Sequence, residues 1–87
     1  MGIIWYDKAW KQYLDWQEND KKALKRLNEL IKECQRTPFE GQGKPEHLKG
    51  ELSGYMSRRI DEKNRLVYKV TEENVIIISC KTHYNQK

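Results

Sequence analysis

The chain has 87 residues, of which 37% are hydrophobic and 34% are charged, with a formal net charge of +4. This length suffices for one domain over residues 1–87 and excludes two, and the composition allows only a small core beneath a highly charged surface. The sequence contains no apolar run long enough for a membrane-spanning helix or a secretory signal, which predicts a cytoplasmic protein without a membrane role.

A strand and two helices are predicted for the first half of the chain. Residues 3–6 form a short β-prone run, and Asp7 follows it as a candidate helix cap. Apolar residues then recur at helical spacing over residues 9–17 and again, more regularly, over residues 23–34. The Asn-Asp pair at 19–20 interrupts the pattern and offers a cap for the second helix. Each helix therefore has one apolar face, which predicts packing against a core.

The second half of the chain is predicted to be a loop followed by strands. Residues 39–50 contain several glycines and a proline, which predict a loop with one helical turn at 46–49. Strands are predicted at 55–60, 65–70 and 75–78, with turns between them. Because residues 75–78 are continuously apolar, we expect a strand near the centre of the sheet that is covered on both faces. The predicted fold class is α+β, with two N-terminal helices packed on one face of a small, mainly antiparallel sheet.

The two cysteines, Cys34 and Cys80, lie far apart and form no ligand pattern with the two histidines. Such spacing is typical of reduced thiols in a cytosolic protein, and it provides no ligand set for a metal ion. We therefore expect neither a disulfide nor a metal nor a cofactor.

Basic side chains are in excess in the second half of the chain. Residues 1–40 hold 8 basic and 7 acidic side chains, whereas residues 41–87 hold 9 and 6. This excess favours a polyanionic partner, for which RNA is one candidate.

A general base and a general acid for RNA cleavage are both available in this half. Glu46 lies in the loop between two lysines, and a base in this chemistry must take the proton from a ribose 2′-OH. His83 follows the last predicted strand and could act as the acid, with His47 as its rival. Tyr84 could stack on a nucleobase or orient the phosphate. Each of these residues taken alone is more commonly a solvated side chain, so their combination carries the hypothesis of metal-free RNA cleavage.

Arginines flank one tight turn of the predicted sheet, at Arg58, Arg59 and Arg65. A guanidinium group matches two phosphate oxygens at once, which suits the charge that develops during phosphate cleavage. Adjacent residues of a strand point to opposite faces, so Arg58 and Arg59 cannot both face one site. The alternation does not decide between them, and charge on an exposed hairpin is the more common interpretation.

The sequence also resembles the YoeB toxins of the RelE/ParE toxin superfamily over essentially its whole length. The segments that carry the resemblance include Arg36 to Gly41, Gly43 to Glu46, Ser57 to Ile60, Arg65 to Tyr68, and the pair His83-Tyr84. The resemblance implies a RelE-like, microbial ribonuclease-like fold. It also implies a ribosome-dependent mRNA endoribonuclease, the toxin of a type II toxin–antitoxin system, which cuts mRNA at the ribosomal A site and inhibits translation.

The resemblance further implies partners and residue roles. The partners are a YefM-like antitoxin, the ribosome and mRNA, with operator DNA contacted only through the antitoxin complex; a homodimer is left open. The implied roles are general base for Glu46, general acid for His83, phosphate ligand for Arg65, site-shaping aromatic for Tyr84, and further substrate-binding cations for Lys49 and Arg59.

The sequence departs from the pattern of this family in three respects. His47 stands where proline is typical, Met56 stands where a bulky aromatic residue is common, and residues 85–87 follow the His-Tyr pair. None of these departures removes a catalytic group. The alternative function is a catalytically inert RelE-like binding module that contributes to antitoxin binding and operon autorepression.

Overall fold

The structure is a computed structural model that describes residues 1–82. The elements in chain order are β1 (Gly2–Trp5), α1 (Asp7–Asn19), α2 (Lys21–Arg36), β2 (Glu46–His47), a 3₁₀ turn (Gly50–Leu52), β3 (Met56–Arg59), β4 (Arg65–Val70) and β5 (Asn74–Thr82). The strands form one sheet in the order β1-β5-β4-β3-β2, in which β1 and β5 are parallel and the other pairings are antiparallel. The predicted α+β class is therefore confirmed. No helix within residues 1–82 combines the length and the hydropathy needed to cross a membrane.

The two helices meet at a single residue, Asp20. Its backbone N–H donates to the carbonyl of Trp16 at 3.0 Å, and its side chain accepts from the backbone N–H of Ala23 at 3.0 Å. This confirms the helix cap predicted at the Asn-Asp pair. Asp7 is not the cap of α1 as expected, because Tyr6 occupies the cap position and Asp7 is the first helical residue. The carboxylate of Asp7 still interacts favourably with the positive end of the helix dipole.

Both helices pack on one face of the sheet and form the core with it. The buried core residues are Ala9, Trp16, Ala23, Leu27, Leu30, Ile31 and Cys34 from the helices, and Met56, Ile60, Leu66, Tyr68, Val75, Ile77 and Cys80 from the sheet and its turns. Polar contacts join α1 to β5: the indole N–H of Trp16 donates to the carbonyl of Cys80 at 2.8 Å, and Gln12 Oε1 accepts from the backbone N–H of Cys80 at 2.7 Å. Helix α1 therefore fixes the C-terminal part of β5.

The apolar run at 75–78 lies inside β5, which pairs with β1 on one side and β4 on the other. Val75 and Ile77 are fully buried in the core, whereas Ile76 and Ile78 on the opposite face are only half-buried. The strand is thus interior to the sheet as predicted, and its second face is covered only in part. The reason is that both helices pack on the same face.

The segment that leads into β3 is held by strand pairing. Residues 46–47 pair with residues 56–57 of β3, and the backbone N–H of Leu48 donates to the carbonyl of Tyr55 at 2.9 Å. The helical turn predicted at 46–49 is therefore wrong. These hydrogen bonds reach residues outside the local segment, so no local sequence pattern reveals them.

The last turn of α2 is stabilised by Glu33, which is largely buried. Its carboxylate accepts a hydrogen bond from Thr37 Oγ1 at 3.0 Å and one from Arg36 Nη2 at 2.8 Å. The hydrogen bond from Thr37 lowers the pKa of Glu33, and the charge of Arg36 lowers it further, against the opposing effect of burial. These contacts fix the point at which the chain leaves the helix.

Candidate active site

Glu46 and Arg65 are far apart in the sequence, and the sheet brings them together. The Nη1 atom of Arg65 donates to Glu46 Oε1 at 3.0 Å and to Ser57 Oγ at 3.3 Å. The side chain of Glu46 is 51% exposed and that of Arg65 is 23% exposed. The residue predicted as general base and the residue predicted as phosphate ligand therefore form a solvent-accessible ion pair.

The strand register explains why these side chains share one face of the sheet. Glu46 pairs directly with Ser57, and Arg59 pairs directly with Arg65. Directly paired residues project from the same face, as do residues two positions apart in one strand. Glu46, Ser57, Arg59 and Arg65 consequently lie on the face opposite the helices, which we call the open face.

Two further predicted cations lie in neighbouring segments: Arg59 pairs directly with Arg65, and Lys49 follows β2 by two residues. Arg59 is exposed at the end of β3, and its backbone N–H donates to the carbonyl of Gly43 at 2.7 Å. Lys49 is exposed immediately before the 3₁₀ turn. Both side chains are exposed, and exposure is what a phosphate-binding cation requires.

Arg58 points to the opposite face from Arg59 and is fully buried. Its guanidinium donates to the carbonyls of Thr37, Glu40 and Gln42, and its Nε donates to the hydroxyl of Tyr68 at 3.0 Å. Arg58 therefore holds the segment between α2 and β2 against the sheet and is not available to a substrate. The alternation of the strand required this division between the two arginines, but only the register assigns each residue to its face.

His47 projects to the other side of β2 from Glu46. It pairs directly with the core residue Met56, and its ring stacks on Phe39 with the centroids 6.1 Å apart and the planes 18° apart. The structure thus directs the rival candidate acid away from the ion pair on the open face.

His83 and Tyr84 lie outside the described residues. The described part of β5 ends at Thr82, which pairs directly with Arg65. The last described residue therefore lies beside the predicted phosphate ligand.

Ser57 is a residue of this site that the sequence analysis did not single out. It is fully buried, and its hydroxyl contacts Arg65 on the open face. A signal was available, because Ser57 lies two positions before Arg59 and so shares its face. A serine in a strand does not by itself indicate a functional site, however. Only the contact with Arg65 distinguishes Ser57 from other serines.

The two cysteine thiols lie in the core. Cys34 and Cys80 are free and fully buried, and burial raises the pKa of Cys34 to about 11 and that of Cys80 to about 12. Within residues 1–82, no three side chains among histidine, cysteine, aspartate and glutamate come together as ligands for a metal ion. The Glu46 carboxylate and the Arg65 guanidinium of the open face, by contrast, are both accessible to solvent.

Two comparisons with known proteins match nearly the whole chain to the same family of proteins. Residues 5–84 match the family described as the YoeB-like toxin of bacterial type II toxin–antitoxin systems. The toxin YoeB of Escherichia coli (strain K12) is 56% identical over 84 residues, which are 97% of this chain and 100% of that protein.

Solved structures agree with these matches. The YoeB dimer from Staphylococcus aureus is 47% identical, with a TM-score of 0.90 over 97% of this chain and 98% of that one. The heterotetrameric YoeB–YefM toxin–antitoxin complex from the same organism contains a chain that is 47% identical, with a TM-score of 0.89 over 97% of this chain and 98% of that one.

Proposed function

Because the chain belongs to the YoeB family of toxins of type II toxin–antitoxin systems, we propose that it is a ribosome-dependent mRNA endoribonuclease that inhibits translation. The observation that carries the proposal is the Glu46–Arg65 ion pair on the open face. A carboxylate and a guanidinium side by side are the two groups that a 2′-OH nucleophile and the adjacent phosphate need.

The proposed reaction is a transesterification within the RNA strand. Glu46 takes the proton of a ribose 2′-OH, and the 2′-oxygen attacks the adjacent phosphorus. The bond from phosphorus to the 5′-oxygen breaks, and His83 protonates that leaving oxygen. The products are a 2′,3′-cyclic phosphate and a free 5′-OH. No metal ion takes part, since side chains supply the base, the acid and the phosphate ligands.

Three cations stabilise the phosphate in this proposal. Arg65 binds the non-bridging oxygens, and Arg59 and Lys49 add charge from the same side of the site. Preorganised donors aimed at the developing charge are commonly the largest contribution to this kind of catalysis. Tyr84 completes the site as the aromatic residue that orients the substrate.

The ribosome positions the mRNA in this proposal, and cleavage takes place at the A site. Misplacement of reacting atoms by about 1 Å can cost roughly 10²-fold in rate, and the described residues carry no grouped aromatic platform on the open face that would orient an RNA strand alone. The charge on helix α2 supports docking on ribosomal RNA, because three lysines (Lys21, Lys25 and Lys32) against one carboxylate (Glu29) line an open groove of about 370 Å³ along it.

The partner that neutralises the toxin is a YefM-like antitoxin. A YoeB relative from Staphylococcus aureus forms a heterotetrameric complex with YefM, and a YoeB from the same organism is described as a dimer. We expect an acidic antitoxin segment to fold across Arg59, Arg65 and Lys49, so that contact with operator DNA takes place only through the antitoxin complex. A complex whose hydrogen-exchange footprint avoids these residues would refute direct occlusion.

Glu46→Gln tests the proposed base. Cleavage of a reporter mRNA in a translation extract, mapped by primer extension, should fall by about 10²–10⁴-fold. The fold should be unaffected, because Glu46 is half-exposed and a surface ion pair contributes about 0–1 kcal/mol. Glu51→Gln, in the exposed 3₁₀ turn nearby, is the matched control and should cut normally. Near-normal cleavage by Glu46→Gln would reject Glu46 as the base. If the unmodified chain neither cuts the reporter mRNA nor inhibits translation, the inert binding module is the better description.

His83→Ala and His47→Ala identify the acid. We expect a loss of similar size for His83→Ala and little change for His47→Ala, because His47 stacks on Phe39 away from the ion pair. Loss of cleavage in His47→Ala with near-normal cleavage in His83→Ala would reverse the assignment.

A comparison of free and translated mRNA tests the dependence on the ribosome. Cleavage should be far slower on the naked RNA at the same salt concentration. Charge reversal at Lys21 and Lys25 should weaken binding to the ribosome while sparing the slow cutting of naked RNA. Equal rates on free and translated RNA would contradict the proposal.

A further inference from the structure

Ser57 has an unusual place in the site. It is fully buried although it projects from the open face, and it pairs directly with Glu46 across β2 and β3. The Nη1 atom of Arg65 lies 3.3 Å from Ser57 Oγ and 3.0 Å from Glu46 Oε1. A single guanidinium nitrogen therefore reaches both residues of the Glu46–Ser57 pair.

The side chain of Arg65 crosses a whole strand to make these contacts. Arg65 starts from β4, passes over β3 at Ser57, and ends at Glu46 on β2. Serine has one of the smallest side chains that can donate or accept a hydrogen bond, so it leaves room for this crossing and provides an acceptor beneath it. A bulkier residue at 57 would occupy the space that the guanidinium uses.

From this geometry we propose that Ser57 is a positioning residue that holds the guanidinium of Arg65 in place when Glu46 releases it. The inference rests on the proposed function, in which Arg65 binds the phosphate and Glu46 acts as the base. In the free protein the two N–H groups of Nη1 serve Glu46 and Ser57. An incoming phosphate oxygen competes with Glu46 for the first N–H, because both are anionic acceptors, and the N–H to Ser57 is retained.

Retention of this bond matters because arginine is a long side chain with much rotational freedom. Without Ser57, the guanidinium that leaves Glu46 would have to be immobilised by the phosphate alone. The cost would appear at the catalytic step, in which the phosphate charge increases and the donor must already be in place.

A double-mutant cycle separates positioning from general support of the fold. In single-turnover cleavage on translating ribosomes, Ser57→Ala should be about tenfold slower, the effect of losing one hydrogen bond to a charged group. In an Arg65→Met background the same substitution should change the rate by less than about twofold, because nothing remains to be positioned. Equal losses in the two backgrounds would assign Ser57 to the fold and overturn the proposal, as would a normal rate for Ser57→Ala.

Ser79→Ala is the matched control. Ser79 is also a buried serine, and it continues the row of paired residues Glu46, Ser57 and Val67 across the sheet. It belongs to β5, on the other side of β4 from the two hydrogen bonds of Arg65. We expect Ser79→Ala to leave the cleavage rate unchanged, both in the otherwise unmodified chain and in the Arg65→Met background.

A measurement without RNA distinguishes failure of this inference from failure of the proposed function. In a Glu46→Ala background, where the carboxylate no longer holds Nη1, the NMR order parameter of the Arg65 Nε–H bond should fall when Ser57→Ala is added and stay unchanged when Ser79→Ala is added. If the unmodified chain does not cut RNA but the order parameter still falls in the Ser57→Ala variant, the nuclease proposal is refuted. The positioning of Arg65 by Ser57 is supported in that case. An order parameter that Ser57→Ala leaves unchanged would refute the positioning itself.

Discussion

Replacement of Arg58 by methionine is expected to destabilise the protein more than any change at its neighbour Arg59. The buried guanidinium of Arg58 donates to three backbone carbonyls in residues 37–42. A hydrogen bond to a charged group contributes about 1.5–3 kcal/mol, so three of them set an upper limit of about 5–9 kcal/mol. The carbonyls are only partly buried and regain water in the variant, which reduces the expected loss to about 3–5 kcal/mol.

The assay is urea unfolding of purified protein, followed by tryptophan fluorescence. The free energy of unfolding falls by about 1–3 kcal/mol per molar urea. The expected loss therefore lowers the urea concentration at the midpoint of unfolding by about 2 M. Arg59→Met is the matched control, because Arg59 is the adjacent arginine and is exposed, and it should change the free energy of unfolding by less than about 0.5 kcal/mol. Hydrogen exchange should accelerate first in residues 37–42. If the free energy of unfolding of Arg58→Met is within about 1 kcal/mol of that of the unmodified chain, the three carbonyls do not depend on Arg58 and the reasoning fails.

Three further predictions concern titratable groups outside the site. The lowered pKa of Glu33 contributes stability that is present above its unfolded value of about 4.3 and is lost as the pH falls through the folded value, so Glu33→Gln should flatten the fall of the melting temperature in acid. Burial raises the pKa of Asp61, but hydrogen bonds from the turn that follows lower it more; Asp61→Asn should therefore reduce stability at pH 7 and have less effect near pH 3. The raised pKa values of Cys34 and Cys80 predict that a thiol reagent at pH 8 labels neither in the folded protein and both in denaturant; rapid labelling of the folded protein would contradict their burial.

Local patterns predicted the helices well because the information was local. The apolar stripe over 23–34 and the cap at Asp20 depend on residues three or four positions apart, and both are found in the structure. Strand β2 was missed because its two residues are defined by pairing with β3 and not by their own composition. The parallel pairing of β1 with β5 was likewise invisible, since it joins the two ends of the described chain.

The candidate site was only partly predictable for the same reason. Residue type and resemblance single out Glu46 and Arg65, but the 3.0 Å contact between them follows from the register of three strands. That register also separates Arg58 from Arg59, which the sequence could state only as an alternative. Ser57 has no pattern that marks it as functional, and its contact with Arg65 becomes apparent only when the strands are in place. The roles of His83 and Tyr84 stay predictions.

The late position of β5 has a consequence for how the chain acquires its shape during synthesis. Strands β2, β3 and β4 are neighbours in both sequence and space, so the stretch that carries Glu46 and Arg65 can pair soon after it is made. Strand β1, which is made first, has no partner in this sheet until β5 appears, and until then α1 can pack on α2 but not on β5. Contacts that close such a long stretch of chain form slowly, because the entropy of closure is lost before the contacts are gained. A growing chain therefore contains Glu46 and Arg65 before it has β5, the strand that joins their part of the sheet to β1 and α1.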